Sequence, residues 1–297
     1  MIRESVIGLV FATTVALTAP LQAQEAGWPR SVLFTNDDGI AAQGLLALVR
    51  EFSPLVETWV SAPIDNRSAS TNYISAIAKR AIEVEPRELG PGVTAYAVDG
   101  YPADAVVFAL RGLLAEKPPD LVISGVNTGP NLSGDWNLSG TVGAAQMAAF
   151  LGVPAIAVSG YREEDPETLA AIARWLVDLT RTTLVRDLGP GEYLTVSVPR
   201  VPASQIRGVE LVRRGPLPWT IELAPSGAPA SLPGRQLWSL RFSERDVTPA
   251  AGTDLHAFQA NHIAIVPMRA DEDDLESLSR LTAQPPALPA WPPTDRR

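Results

Sequence analysis

Short apolar runs alternate with stretches whose apolar residues fall at helical spacing, and this alternation constrains the fold more than any other feature of the chain. "SVLFTN" (31–36) precedes "IAAQGLLALVREF", where Ile40, Leu45, Leu48, Val49 and Phe52 fall near one helix face. "VETWVSAP" (56–63) and "TAYAVDG" (94–100) read as further strands. Ala103, Val106, Val107, Leu110, Leu113 and Leu114 then give a helix behind Pro102, which suits a first helical position. "DLVISGVN" (120–127) precedes a helix through "TVGAAQMAAFLG", and "PAIAVSG" (154–160) precedes a long amphipathic helix in "DPETLAAIARWLVDLTRTTLV". Strands that are apolar throughout are buried on both faces, so the expected class is α/β, with a mostly parallel sheet and helices on both sides. Ligands in such sheets gather beyond the carboxyl ends of the strands.

The alternation stops near residue 204. Residues 204–260 are rich in Pro and Gly, with β-like pieces such as "LWSLRF" (237–242), and are expected to form an extended arm or hairpin. "NHIAIVPM" (261–268) reads as one more strand, "DEDDLESLSRL" as an acid-started helix and "QPPALPAWPPTDRR" as a Pro-rich tail. The expected organisation is therefore a leader over 1–23, a core over 24–203, the arm over 204–260 and a closing segment over 261–297.

The leader carries Arg3, an apolar run over residues 6–19 and the helix breaker Pro20, the pattern of a secretory signal with a cut after Ala23. Leu21 is large for a cleavage site, and a retained anchor is the alternative, although the run is shorter than the ~20 residues a spanning helix needs. With the leader removed no membrane association is expected, and the location is expected to be periplasmic. The chain has no Cys, so after export its stability rests on packing without disulfides, and thiol chemistry is excluded. With 33 acidic against 24 basic residues the net charge is −9, and the basic residues are scattered; duplex nucleic acid is not an expected partner.

Four polar loops are read as following four strands: Asn36-Asp37-Asp38-Gly39, Asn66-Arg67-Ser68, Asn127 to Asn131, and Ser139-Gly140-Thr141. A parallel sheet brings such loops to one edge. Asp37 and Asp38 have two readings. An acidic residue at a helix start caps free N–H groups and suits the helix dipole. One Asp suffices for that, and two charges about 4 Å apart repel by about 4 kcal/mol at an effective dielectric of 20 unless a cation intervenes. Two carboxylates, a Ser hydroxyl and an Asn carboxamide are oxygen donors, which suit Mg²⁺ or Mn²⁺ better than Zn²⁺. His256 and His262 lie outside these loops and read as structural. The loop "SGVNTGPNLSGDWNLSGTVGAA" (124–145) would present N–H and hydroxyl donors at a helix start, a phosphate-receiving arrangement, or would simply cap its helix through Ser139.

Six blocks resemble the SurE survival-protein nucleotidases, metal-dependent phosphatases of nucleoside monophosphates. They are "TNDDGI" (35–40), "SAPIDNRSAS" (61–70), "DGYPADAV" (99–106), "PDLVISGVNTGPN" (119–131), "SGTVGAA" (139–145) and "GVPAIAVS" (152–159). The resemblance implies a Rossmann-like core with a protruding β-hairpin and a C-terminal segment used in homodimer or homotetramer contacts. It also implies one divalent cation per subunit held by Asp37, Asp38, Ser68 and Asn127, with Asn36, Asn131, Ser139, Gly140 and Thr141 lining a phosphate site. Three departures stand out: Tyr101 and Ala105 in Gly100-Tyr101-Pro102-Ala103-Asp104-Ala105, where the family usually has Thr and Cys; Leu138 in place of an aromatic; and Met147 where an acidic residue is common. They bear on substrate preference and packing rather than on the ligands.

The expected activity is hydrolysis of nucleoside 5′- or 3′-monophosphates by water in line with the leaving group, with Asp37 and Asp38 at the catalytic centre. Asp37 acting as nucleophile stays open. Phosphatases with an aspartyl nucleophile would want two Asp separated by one residue, whereas these are contiguous. An exported protein that binds a phosphorylated solute without turnover is the alternative.

Overall fold

The computed structural model describes residues 27–228, 231–271, 279–280 and 282–284. The proposed leader, most of the acid-started helix and the Pro-rich tail lie outside these residues.

Strands β1 (Ser31–Thr35), β2 (Glu57–Pro63), β4 (Val93–Val98), β5 (Leu121–Asn127), β6 (Ala155–Ser159) and β7 (Glu192–Ser197) run parallel. They form the body of a nine-stranded sheet in the order β3-β4-β2-β1-β5-β6-β7-β11-β8. β3 (Val84–Arg87) is an antiparallel edge; β11 (His262–Arg269) runs antiparallel to β7 and parallel to the other edge strand, β8 (Gly208–Leu211). The class is α/β with a mostly parallel sheet, as the apolar runs imply.

Side-chain alternation sends successive residues of each central strand to opposite faces. Val32 and Phe34 of β1, Leu121 and Ile123 of β5, and Ile156 and Val158 of β6 join one core, with Leu45, Leu48 and Phe52 of α1 (Gln43–Phe52) and Leu176 of α5 (Pro166–Thr180). Leu33, Val122, Ala155 and Ala157 face the other core, with Ala103 and Val106 of α3 (Pro102–Phe108) and Ala144, Ala145 and Ala148 of α4 (Gly140–Phe150). Every residue of α4 from Gly140 to Ala149 is buried, so this helix is walled in on all sides rather than half-solvated.

The arm divides into two. β8 joins the large sheet, whereas β9 (Trp219–Pro225) and β10 (Trp238–Glu244) form a separate antiparallel hairpin. Short helices α2 (Ala76–Lys79), α6 (Thr183–Arg186) and α7 (Asp254–Gln259) complete the helical elements that bear on the argument. Ala257 of α7 packs on Ala264 and Val266 of β11 in a small third core. Among the described residues no helix is long and apolar enough to cross a membrane.

Candidate active site

The chain leaves β1 for β2 on one side of the sheet and returns to β5 on the other, which makes the carboxyl ends of β1 and β5 a topological switch point. Asp37 and Asp38 follow β1, Asn66 to Ser68 follow β2, and Asn127 ends β5. Ser139, Gly140 and Thr141 close the connection from that same β5 to α4, so the polar loops belong to three strand ends rather than four. Backbone hydrogen bonds lock the first two together: Arg67 N–H donates to the Asp37 carbonyl at 2.7 Å and Ile40 N–H to that of Pro63 at 2.8 Å. The β5–β6 register shifts between Ser124 and Asn127, a bulge that re-aims the end of the strand. The Asn127 amide nitrogen then donates to the Gly129 carbonyl at 2.7 Å, which orients its carboxamide.

Asp37 does not cap the helix that follows it. α1 begins after Ala42 without a side-chain cap, whereas the Asp37 carboxylate meets the start of α4, far along the chain. Thr141 Oγ1 donates to Asp37 Oδ1 at 2.5 Å, and the backbone amides of Thr141 and Gly140 also favour its charge. A Cβ on Gly140 would lie 2.7 Å from Ser70 Oγ and 2.8 Å from Asp37 Cβ, so glycine is what lets the carboxylate approach. Ser139 is the N-cap of α4, its Oγ accepting from Val142 N–H at 3.1 Å. Gly140 and Thr141 both serve Asp37, because a carboxylate only 3% exposed needs local donors. Asn36 likewise turns inward, its amide donating to the Gly39 carbonyl at 2.8 Å.

Burial nonetheless pushes the Asp37 carboxyl above its usual range, outweighing these hydrogen bonds. Asp38 is raised to about 6, by burial first and then by the neighbouring charge of Asp37, with the Thr128 backbone amide opposing the rise and Glu163 adding to it. Asn66 Nδ2 donates to Asp38 Oδ1 at 3.2 Å, but Asp38 Oδ2 is buried with no partner. Among the described residues no basic side chain forms an ion pair with either Asp; Arg67, whose backbone N–H bonds the Asp37 carbonyl, turns its guanidinium to Asp99 at 3.8 Å. Negative charge is gathered here without compensation.

Asp37, Ser68, Asn127, Asn131 and Ser139 line one cavity of about 350 Å³. Asp38 opens on a second cavity of about 310 Å³, beside Tyr161 and Glu163. Two carboxylates, a hydroxyl and a carboxamide are hard oxygen donors, and the orphaned Asp38 oxygen lacks the positive partner that a divalent cation would be. Among the described residues no group of three His, Cys, Asp or Glu is placed to hold a metal. His256 sits in α7 and His262 faces Glu210 at 3.5 Å, away from these loops.

Lining residues that escaped the sequence reading include Asp135, Trp219, Phe242 and Glu244. Trp219 and the other two hairpin residues reach the cavity because Trp219 Nε1 donates to Asp135 in the turn before Ser139. Asn131 is 8% exposed; its carbonyl accepts from Arg214 Nη1 at 3.0 Å, and its amide nitrogen is buried without a partner. No local pattern could have tied an aromatic in a Pro-rich arm to this loop.

A family model described as "Survival protein SurE" matches residues 32–220. The 5′-nucleotidase SurE of Vibrio campbellii is 34% identical over 251 residues, spanning 84% of this chain and 92% of the relative. That of Heliobacterium modesticaldum is 37% identical over 243 residues, spanning 81% and 86%. Among solved structures the SurE protein of Aquifex aeolicus superimposes with a TM-score of 0.70 at 28% identity, covering 85% of this chain and 98% of the other. With the switch-point carboxylates in place and the match running through them, the chain belongs to the SurE family.

Proposed function

We propose that the protein is a metal-dependent 5′-nucleotidase that hydrolyses nucleoside monophosphates to nucleoside and phosphate. The observation that carries this reading is that Asp37, buried in one cavity with Ser68 and Asn127, and the half-buried Asp38, with an orphaned carboxylate oxygen, have no basic partner among the described residues at the sheet's switch point. These four residues would hold one divalent cation, Mg²⁺ or Mn²⁺, which when bound polarises a phosphoryl oxygen and acidifies water. Asn131, whose buried side-chain amide has donors to spare, and Ser139 at the α4 N-terminus would receive phosphoryl oxygens, a reading supported by their lining the cavity with Asp37. Gly140 and Thr141 act one step back by holding Asp37, and Asn36 by holding the turn that carries it. Because Asp37 is pinned by Thr141 and buried, its role as ligand is better supported than one as nucleophile.

Protein stripped of metal should not hydrolyse 5′-AMP, and added Mn²⁺ or Mg²⁺ should restore turnover. An exported binding protein would show no turnover with any metal. Two further readings belong here. The exposed apolar residues Leu223, Trp238 and Leu240 on one face of the hairpin support a homodimer or homotetramer, read by light scattering. The 1–23 leader supports export to the periplasm, read by N-terminal sequencing of the mature chain.

A further inference from the structure

The cavity that holds Asp37, Ser68 and Asn127 has a second end of different chemistry. In the antiparallel register of the hairpin Trp219 opposes Glu244 and Ile221 opposes Phe242, so Trp219, Phe242 and Glu244 share one face. All three line the cavity. The Trp219 and Phe242 rings meet edge to face, with centroids 5.0 Å apart at 86°. Trp219 cannot turn freely, because its indole N–H is bound to Asp135 in the turn (Ser133–Asn137) that leads into Ser139. The aromatic end is thus anchored to the loop that carries the phosphate-facing residues.

Binding a phosphoryl group calls for donors and a cation, and aromatic rings contribute nothing to it. Rings at the far end of the same cavity complement a leaving group with a flat, apolar body. Phe242 is 61% exposed, and a base stacked there would remove its ring from water. Glu244 adds an acceptor for ring or exocyclic N–H groups. We propose that Trp219 and Phe242 form the nucleobase subsite, setting the preference for nucleotides over phosphomonoesters that lack an aromatic group. The inference rests on the nucleotidase reading and names the part of the cavity that reads the base.

The test compares 5′-AMP with ribose 5-phosphate, which shares the sugar and phosphate but has no base. In Mn²⁺-loaded protein the kcat/KM ratio should favour AMP, and Phe242→Ala should lower that ratio by about 10-fold, chiefly through KM. Phe242→Tyr, which keeps a stacking surface, should restore it. Adenosine should inhibit ribose 5-phosphate hydrolysis competitively in the parent, with Ki about 10-fold weaker in Phe242→Ala. Because Phe242 is mostly exposed, its truncation leaves no hole in a core, and Trp219→Leu supplies an independent variant with the same expected direction. Equal loss on both substrates, or an unchanged ratio, overturns the subsite. A parent that hydrolyses both substrates equally well overturns it while leaving the phosphatase reading intact; a parent that hydrolyses neither under any divalent metal sinks both.

Discussion

Strands β1 and β5 lie side by side, and both of their ends carry aspartates, but the two ends are solved differently. At the foot, Asp120 just before β5 takes Arg30 just before β1 as its partner: Arg30 N–H donates to Oδ2 at 2.7 Å and Nη2 to Oδ1 at 3.2 Å. Partial burial pushes the Asp120 carboxyl up, yet the Arg30 hydrogen bonds and charge outweigh it and hold it below the usual range. At the head, Asp37 and Asp38 are pushed up, with neutral donors only. The foot is complete as folded. The head has no such partner among the described residues, and under the proposed function that contrast would separate an edge that holds the sheet from an edge that does chemistry.

The largest effect should come from removing one carboxylate at each end. Asp38→Asn should lower kcat/KM for 5′-AMP with Mn²⁺ by more than about 100-fold, whereas Asp120→Asn should stay within about twofold. The metal-free melting temperature of Asp38→Asn should not fall, because a half-buried carboxylate without a positive partner is being removed. Near-normal turnover in Asp38→Asn would remove the distinction between the two ends. Next in size is the response to metal. At Mn²⁺ 100 times above its dissociation constant the parent should gain about 2.7 kcal/mol, a rise in Tm of at least about 5 °C. Asp120→Asn should keep that rise and Asp38→Asn should lose most of it. Equal shifts in all three proteins would place the cation elsewhere.

A smaller effect is expected from Gly140→Ala. The new methyl would start 2.7 Å from Ser70 Oγ and 2.9 Å from Asp37 Oδ2, and must displace one of them. Overpacking of this kind costs about 1–3 kcal/mol. A fall in metal affinity together with a lower Tm is the expected result, read by calorimetry. Unchanged affinity would show that Asp37 tolerates movement and is not held in a fixed ligand geometry.

What could be read from the sequence follows from how each element is buried. β1, β5 and β6 are buried on both faces, so their continuous apolar runs announce them. β7 is as buried, but Thr195 and Ser197 stand in its interior, and the mixed run "EYLTVS" escapes a reading based on hydrophobicity. β3 is exposed throughout and contains Pro86; only its pairing with β4 makes it a strand. β8 is half-exposed and pairs with a strand some fifty residues later, which hid it in the arm. The same division governs the site. Asp37, Ser68 and Asn127 were legible as polar residues after apolar strands, while the target of Thr141, a carboxylate more than a hundred positions earlier, was not. Nor was the reach of Trp219 to Asp135.

The smallest effect concerns the foot of the sheet and its pH dependence. Asp120 is a carboxylate with a depressed folded-state pKa, so its contribution is fully present above its unfolded value near 3.8. It is lost as pH falls through the lower folded value, where protonation breaks the pair with Arg30. Arg30 remains 78% exposed, so solvent screening limits the pair to no more than about 1 kcal/mol despite its several hydrogen bonds. Asp120→Asn should therefore be less stable than the parent by that amount or less at pH 7, in urea unfolding, and the gap should close as pH falls from the unfolded value through the lower folded one. Added salt should narrow it at neutral pH as well. A gap that persisted at low pH would mean that Asp120 acts through the shape of its hydrogen bonds, and the two ends of the sheet would then differ in geometry rather than in charge.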